Sequence, residues 1–405
     1  MRNNHEATFN EALNITLIIY AFLLPFSNAF SVFSGPYILL LFWFLEGNLN
    51  EKVDKLLNFK PIVFLTVFIA FATISTLWSS NFVELLRNIK FYLAVLIPFA
   101  VIYTSKLKYF RFIVIAFLSG MFISEILLYG VFFEWWSIKK ATPDNPSPFM
   151  HHVLYSIFLA STIFILIWQI LKRDNPTKIK LLEGVFLIST TVNLFLNSGR
   201  TGQVVFLISF FIFLISYYGM KLKYLLFSVI GFIFIFSFAY NFSPIFHARV
   251  QQGISDIESM QKGNFNTSWG LRVVMKEEGF KIVEQNPIFG VGVGDDKDTI
   301  REYLGKLKDK YPYFKKLNHI HDQYLQILIQ IGVFGLILFA IFIVSVFREV
   351  YYDSLAKSIL FAVVTLFLIA FFIDSPLRNF TSSLFGFLLG VLTISAKGES
   401  FYAEK

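Results

Sequence analysis

Residues 322–347 read DQYLQILIQIGVFGLILFAIFIVSVF, and from Gln323 to Phe347 there is no charged residue. A helix needs ~20 mostly apolar residues to cross ~30 Å of hydrocarbon, so this run reads as a membrane span. The same pattern recurs upstream and downstream. Phe-, Leu- and Ile-rich runs lie near 12–30, 31–46, 61–78, 86–104, 111–134, 148–171, 181–197, 203–219, 223–241, 356–374 and 380–396, with short Lys/Arg clusters between them. Composition agrees: 56% hydrophobic, 15% charged and mean hydropathy +0.64, against ~25% charge in a soluble domain. The chain therefore reads as an all-α polytopic membrane protein of about 12 transmembrane helices. Pro25 in the first run and Gly35-Pro36 in the short second one predict kinks there. Three regions follow: 1–241 with spans 1–9, a polar loop at 242–320, and 321–405 with spans 10–12 and a short tail.

The Lys/Arg distribution orients the spans. With the N-terminus counted as inside, the inside connections carry Lys52, Lys55 and Lys60; Lys106, Lys108 and Arg111; Lys172, Arg173, Lys178 and Lys180; Lys221 and Lys223; then Arg348 and Lys357. The opposite short loops hold Arg87, Lys90, Lys139, Lys140, Arg200 and Arg378. The bias places both termini in the cytoplasm and the 242–320 loop outside. No cleavable signal peptide is expected, since the first eleven residues are polar and no small-residue cleavage site follows. The absence of cysteine excludes disulfides, thiol catalysis and thiolate metal sites. The net charge of +8 is assigned to the rims of the spans, and nucleic acid is not an expected partner. No internal repeat announces an inverted-repeat transporter.

The outer loop is not filler. Trp269 to Val283 reads as an amphipathic helix with Trp269, Val273, Phe280 and Val283 on one face, ended by Asn286-Pro287. Gly290, Gly292 and Gly294 read as a turn that brings backbone close to backbone, with phosphate binding as the other option. Asp295-Asp296 is a weak metal candidate. His151-His152 read as interfacial hydrogen-bonding residues. Arg200 stands out within Asn197-Ser-Gly-Arg-Thr-Gly-Gln203, at bilayer-edge depth, where a charge is costly unless paired or facing a polar cavity. His321 is the best general-base candidate, with His319 its competitor. Asp322 is positioned to cap the helix of the tenth span, so the helix dipole would favour a neutral His321 ring.

Asn197-Ser-Gly-Arg-Thr-Gly, the Asn286-Pro-Ile-Phe-Gly-Val-Gly-Val-Gly segment, and His321-Asp-Gln-Tyr-Leu-Gln-Ile-Leu followed by Gly332-Val-Phe-Gly335 resemble the O-antigen ligase family, of the O-antigen ligase/polymerase superfamily. The resemblance covers about 190 to 345, and the order of the motifs agrees as well. Gly199 stands between Ser198 and Arg200, and Asp322 stands where Asn is common; neither removes a required charge. The resemblance implies a GT-C-type, all-helical membrane glycosyltransferase. It would move a glycan from undecaprenyl diphosphate to lipid A–core at the periplasmic face of the bacterial inner membrane, surrounded by membrane lipids. It also implies Arg200, Arg272 and His321 as catalytic residues.

The chemistry suits these residue types. With no cofactor and no metal expected, Arg200 and Arg272 would take up the developing charge on the diphosphate, and His321 would accept the proton of the attacking hydroxyl with inversion at the anomeric carbon. Gln203, Tyr324, Arg87, Lys90 and Arg249 are the expected substrate-binding residues; Arg87, Lys90 and Arg249 would attract an anionic acceptor. Asn81 and Glu84 read as a capping pair, which puts Arg87 and Lys90 on one helix face. Polymerase activity, protein O-glycosylation and transport are the alternatives. The short tail after the last span weighs against protein O-glycosylation. Charges placed at the span edges, Glu125 excepted, weigh against transport.

Overall fold

The computed structural model describes residues 2–27, 29–138, 141–147, 149–172, 175–317, 319–349 and 354–397. Lys139, Lys140, Arg173, Asn318 and the tail to Lys405, which figure in the sequence reading, lie outside the described residues. Sixteen helices follow in order: α1 Arg2–Leu23, α2 Gly35–Leu45, α3 Leu49–Leu57, α4 Lys60–Ile74, α5 Phe82–Thr104, α6 Phe110–Phe132, α7 His152–Leu171, α8 Thr177–Leu196, α9 Arg200–Tyr218, α10 Leu222–Phe242, α11 Pro244–Gln261, α12 Ser268–Gln285, α13 Asp296–Gly305, α14 Gln323–Arg348, α15 Ser354–Ile373 and α16 Thr381–Ala396. Among the described residues there is no β-strand, only an isolated bridge between Thr142 and Asn145.

Among the described residues nine helices are long and apolar enough to span a bilayer, and Ala29–Leu45 and Thr381–Ala396 are shorter apolar helices. With α1 these account for the apolar runs. The first run differs from expectation: α1 starts at Arg2 and stops before Pro25, and a π-helical turn at Ala29–Ser34 leads into α2, where Pro36 sits at the helix start. Pro has no N–H to donate, so it is tolerated there and disruptive further in. α7 and α16 form the buried centre, while α8 and α10 lie at the edge. α16 packs on α5 and α15, and α15 also on α9 and α7.

The expected inside loops gather at one end of the bundle. The Asn10 and Asn14 side chains donate to the Lys106 carbonyl at 3.0 and 3.1 Å; Lys60 pairs with Glu349 and Lys397 reaches Tyr103. The connection after residue 47 is helical (α3) rather than plain loop. Lys52 is not rim charge: it is buried against Glu46 at 2.7 Å and lies over the Trp43 ring.

At the other end the 242–320 segment folds around its own apolar cluster, including Val274, Met275, Ile282, Ile300, Leu304, Phe314 and Ile320. Its first helix, α11, starts directly after Ser243, whose Oγ accepts from the Phe246 N–H. Arg272 is therefore in the second helix of the loop, not the first. The buried face of α12 also differs from the one read in the sequence. Gly270, Val274, Met275, Glu278, Gly279 and Ile282 face inward, whereas Trp269, Val273 and Phe280 are exposed. The apolar stripe is split: Trp269, Val273 and Phe280 point away from the cluster, whereas Val283 packs against it.

The Gly-rich segment splices this subdomain into the membrane bundle. α14 is broken at Ile331 and Gly332, with Gly332 at φ 65°. The carbonyls freed by the break accept from Val291 and Gly292 N–H groups at 2.8 and 2.9 Å, and the Val333 N–H donates to Pro287. Backbone polar groups in a bundle need such partners, because lipid offers none. The close approach explains the glycines. A Cβ on Gly332 would sit 2.1 Å from the Ile288 carbonyl oxygen, and one on Gly290 2.5 Å from the Ile329 oxygen. Gly332→Ala combines that collision with a left-handed φ, so a loss of about 1–3 kcal/mol or more is expected, read as a lower thermal midpoint in detergent.

Candidate active site

Arg200 sits at the first turn of α9, and its neighbours build the turn. Asn197 Oδ1 accepts from the Gly199 N–H at 2.7 Å, its Nδ2 donates to Ser147, and the Ser198 hydroxyl donates to the Asp144 carbonyl. Gly202 lets this turn lie against α7: its N–H donates to Ser156 Oγ at 3.0 Å, and a Cβ there would meet Ser156 at 2.3 Å. Gln203 is buried, and its Nε2 donates to the Leu194 and Asn197 carbonyls at 3.0 and 2.9 Å. The expected substrate role of Gln203 is corrected accordingly: the amide braces the turn and does not line the neighbouring cavity. Tyr324 is corrected in the same way, since its hydroxyl donates to the Leu368 carbonyl and its ring packs on Phe371 and Phe372.

That cavity, of about 740 Å³, lies between the bundle and the outer subdomain. Arg200, Arg249, Arg272, His151, His152, Lys276 and His321 line it, and no carboxylate does among the described residues. Gln252 on α11 holds two of the arginines side by side: its Oε1 accepts from Arg249 at 2.9 Å and from Arg200 at 3.2 Å. Arg200 Nη1 is buried and has no hydrogen-bond partner among the described residues. Neither Arg249 nor Arg272 has an ion-pair partner among the described residues. Lys276 is committed, 2.7 Å from Asp322 and 2.8 Å from the Phe372 carbonyl. Trp269, Val273, Met260, Tyr313 and Phe372 give the cavity an apolar side. Three guanidiniums with no ion-pair partner among the described residues thus stand beside an apolar wall, an arrangement that suits an anion carrying an apolar group.

His321 enters from the start of α14, where Asp322 caps the helix by accepting from the Leu325 N–H at 3.0 Å. Its Nδ1 is 2.9 Å from Asp374 Oδ1, at the end of α15. Burial by itself would raise the Asp374 carboxyl, but the His321 hydrogen bond and charge, the Ser375 N–H and Arg272 hold it down at about 2. The folded value lies below the ordinary 3.8, so the stabilisation is complete above that value and is lost as pH falls through about 2. Asp374 is thus a carboxylate throughout the neutral range. It accepts Nδ1–H and leaves Nε2 with its lone pair, the tautomer a general base needs. Asp374 was missed in the sequence, although the Arg200 argument applies equally to a carboxylate at a span end.

His319 stacks edge-on to His321 with centroids 4.6 Å apart, and burial first, then His321 and Arg378, lower its pKa to about 4. No metal is expected from the sequence, but His321 does have further ligand groups beside it. Ligand atoms of His319, His321 and Asp374 lie within 4.8 Å of one another. Asp295 and Asp296, in contrast, are structural. Asp295 accepts from Ser80 N–H and Oγ and from the Asn81 N–H. Asp296 is fully buried, 2.6 Å from Arg378 Nη1, and accepts from Asn88, Gln326 and Gln330.

Arg87 and Lys90 do not reach the large cavity. They line a second one of about 330 Å³ on the far side of His319. Asn81 caps α5 as expected, accepting from the Glu84 N–H.

The family model described as O-antigen ligase matches residues 184–340, which takes in the Arg200 turn, Arg249, Arg272 and His321. Through this segment the chain is similar to the O-antigen ligase family. Asp374, Arg87 and Lys90 lie outside the matched segment. A protein of Haemophilus influenzae described as uncharacterized is 28% identical over 210 residues. That match covers 51% of this chain and 52% of the relative, so the chain spans about half the length of the curated relative it matches.

Proposed function

We propose that this protein is a member of the O-antigen ligase family and transfers a glycan from undecaprenyl diphosphate to lipid A–core at the periplasmic face of the inner membrane. The observation that carries the reading is the juxtaposition, in one cavity, of three arginines without an ion-pair partner among the described residues and a histidine held by a buried carboxylate. In the transfer, the acceptor hydroxyl attacks the anomeric carbon as its proton passes to His321 Nε2. The new C–O bond forms as the bond from that carbon to the phosphate oxygen breaks, and the electron pair leaves on the diphosphate. Arg200, Arg249 and Arg272 stabilise that leaving group without needing a metal. One displacement gives inversion. The protonated ring then returns its proton to water.

Lys276 is locked to Asp322, so it does not replace Arg272. Arg272→Ala is expected to lower transfer by about 10²-fold, measured as glycan transfer in isolated membranes at equal expression. Topology has its own check. Reporter fusions after Lys262 and after Lys397 should give outside and inside signals; the same signal from both would remove the periplasmic site. A deletion strain separates ligase from polymerase on a lipopolysaccharide gel. Loss of every capped band with donor accumulation is the ligase result, whereas retention of single-unit capped bands means polymerase.

A further inference from the structure

His319 and His321 touch each other but face different cavities. His321 lines the large one with the three arginines, and His319 lines the smaller one with Arg87, Asn88, Lys90 and Arg378. The smaller cavity carries surplus positive charge. Glu84, its one lining carboxylate among the described residues, is shared between Arg87 at 3.1 Å and Lys297 at 3.2 Å. Arg378 is neutralised by the buried Asp296. Lys90 has no carboxylate partner among the described residues and lies over the Phe91 ring. Arg87 is 63% exposed at its side chain, so its guanidinium is open to a ligand.

We propose that this second cavity is the acceptor subsite, binding an anionic sugar of the acceptor on Arg87 and Lys90 while the adjacent hydroxyl is presented to His321. The inference rests on the transfer reaction above and divides its two substrates between the two cavities. The larger one has the apolar wall and the guanidiniums that a lipid diphosphate requires. The smaller one, about 330 Å³, is at the lower end of ligand-site volumes (~300–1,000 Å³) and is mainly polar, which suits a sugar and not a lipid tail. His319, whose ring meets that of His321, is the wall between them. Inversion needs the acceptor hydroxyl and the leaving diphosphate on opposite faces of the anomeric carbon, and two separate cavities suit that arrangement. The same anion chemistry exists in phospholipid headgroups, so the test must separate the two sources.

The test uses the purified full chain in neutral phosphatidylcholine vesicles and in anionic phosphatidylglycerol vesicles, with Arg87→Gln/Lys90→Gln against the unsubstituted protein. Hydrogen bonds to charged groups imply a rise in acceptor KM of about tenfold or more. The proposal expects that rise in both vesicle types with donor KM unchanged, and its partial reversal when Lys90 is replaced by Arg instead of Gln. An unchanged acceptor KM, or a raised donor KM, would overturn it. An effect confined to anionic vesicles would also overturn it, in favour of a headgroup site. If the unsubstituted protein transfers nothing, the reading of the function fails, and not merely the division of the substrates.

Discussion

Replacing His321 by Ala is expected to reduce glycan transfer by about 10²–10⁴-fold, the usual contribution of a positioned general base. The ring has the geometry of such a base, since Nδ1 is held 2.9 Å from Asp374 and the side chain lines the cavity that holds the arginines. His319→Ala should cost far less, because that ring faces the smaller cavity. Asp374→Asn separates positioning from packing. It lowers kcat, by up to ~10⁴ if the wrong tautomer is trapped, with little change in donor KM. A purely structural aspartate would instead lower the amount of folded enzyme and leave kcat per folded enzyme in place. The cluster of His319, His321 and Asp374 makes chelation a sharp control. Activity that survives EDTA supports the base. Abolition by EDTA with restoration by a divalent ion would make these residues metal ligands and remove His321 as base.

Arg200→Lys is the second large effect, a loss of about 10²–10³-fold with normal membrane insertion. The lysine retains the charge but not the planar fork with which Arg200 bonds Gln252 through Nη2. An ammonium on a flexible stem does not reproduce paired hydrogen bonds to phosphate oxygens. Insertion should be unaffected, because the turn is held by Asn197, Ser198, Gly202 and Gln203 and not by the arginine side chain. Near-normal transfer by the lysine variant, at matched expression, would reduce Arg200 to a headgroup anchor.

Much of the fold was legible in the chain because membrane spans are written locally, as uninterrupted apolar runs. The cap at Asp322, the cap at Asn81 and the close backbone approach at Gly290 and Gly292 were legible for the same reason: each depends on neighbours in sequence or on glycine's missing side chain. What failed depended on distant partners. Gln203 and Tyr324 looked like ligand residues, but their polar atoms meet carbonyls at Leu194, Asn197 and Leu368. The α12 stripe of Trp269, Val273 and Phe280 has helical period, and period alone does not say whether a stripe faces a core or the outside. Asp374 lies 53 residues from His321 in the chain, so no local pattern joins them. The cost of leaving a carboxylate unpaired at a span end was the one available signal, and it was applied to Arg200 and not to Asp374.

The most direct test of the active-site assignment is a reconstituted reaction. Purified protein in vesicles is given undecaprenyl-diphosphate-linked glycan and lipid A–core in EDTA, and free undecaprenyl diphosphate is measured with time. The expected release depends on the acceptor, matches the glycan attached mole for mole, and falls at least ~10²-fold in both His321→Ala and Arg200→Lys. Full release by either variant, or none by the unsubstituted protein until a divalent metal is added, would contradict the assignment.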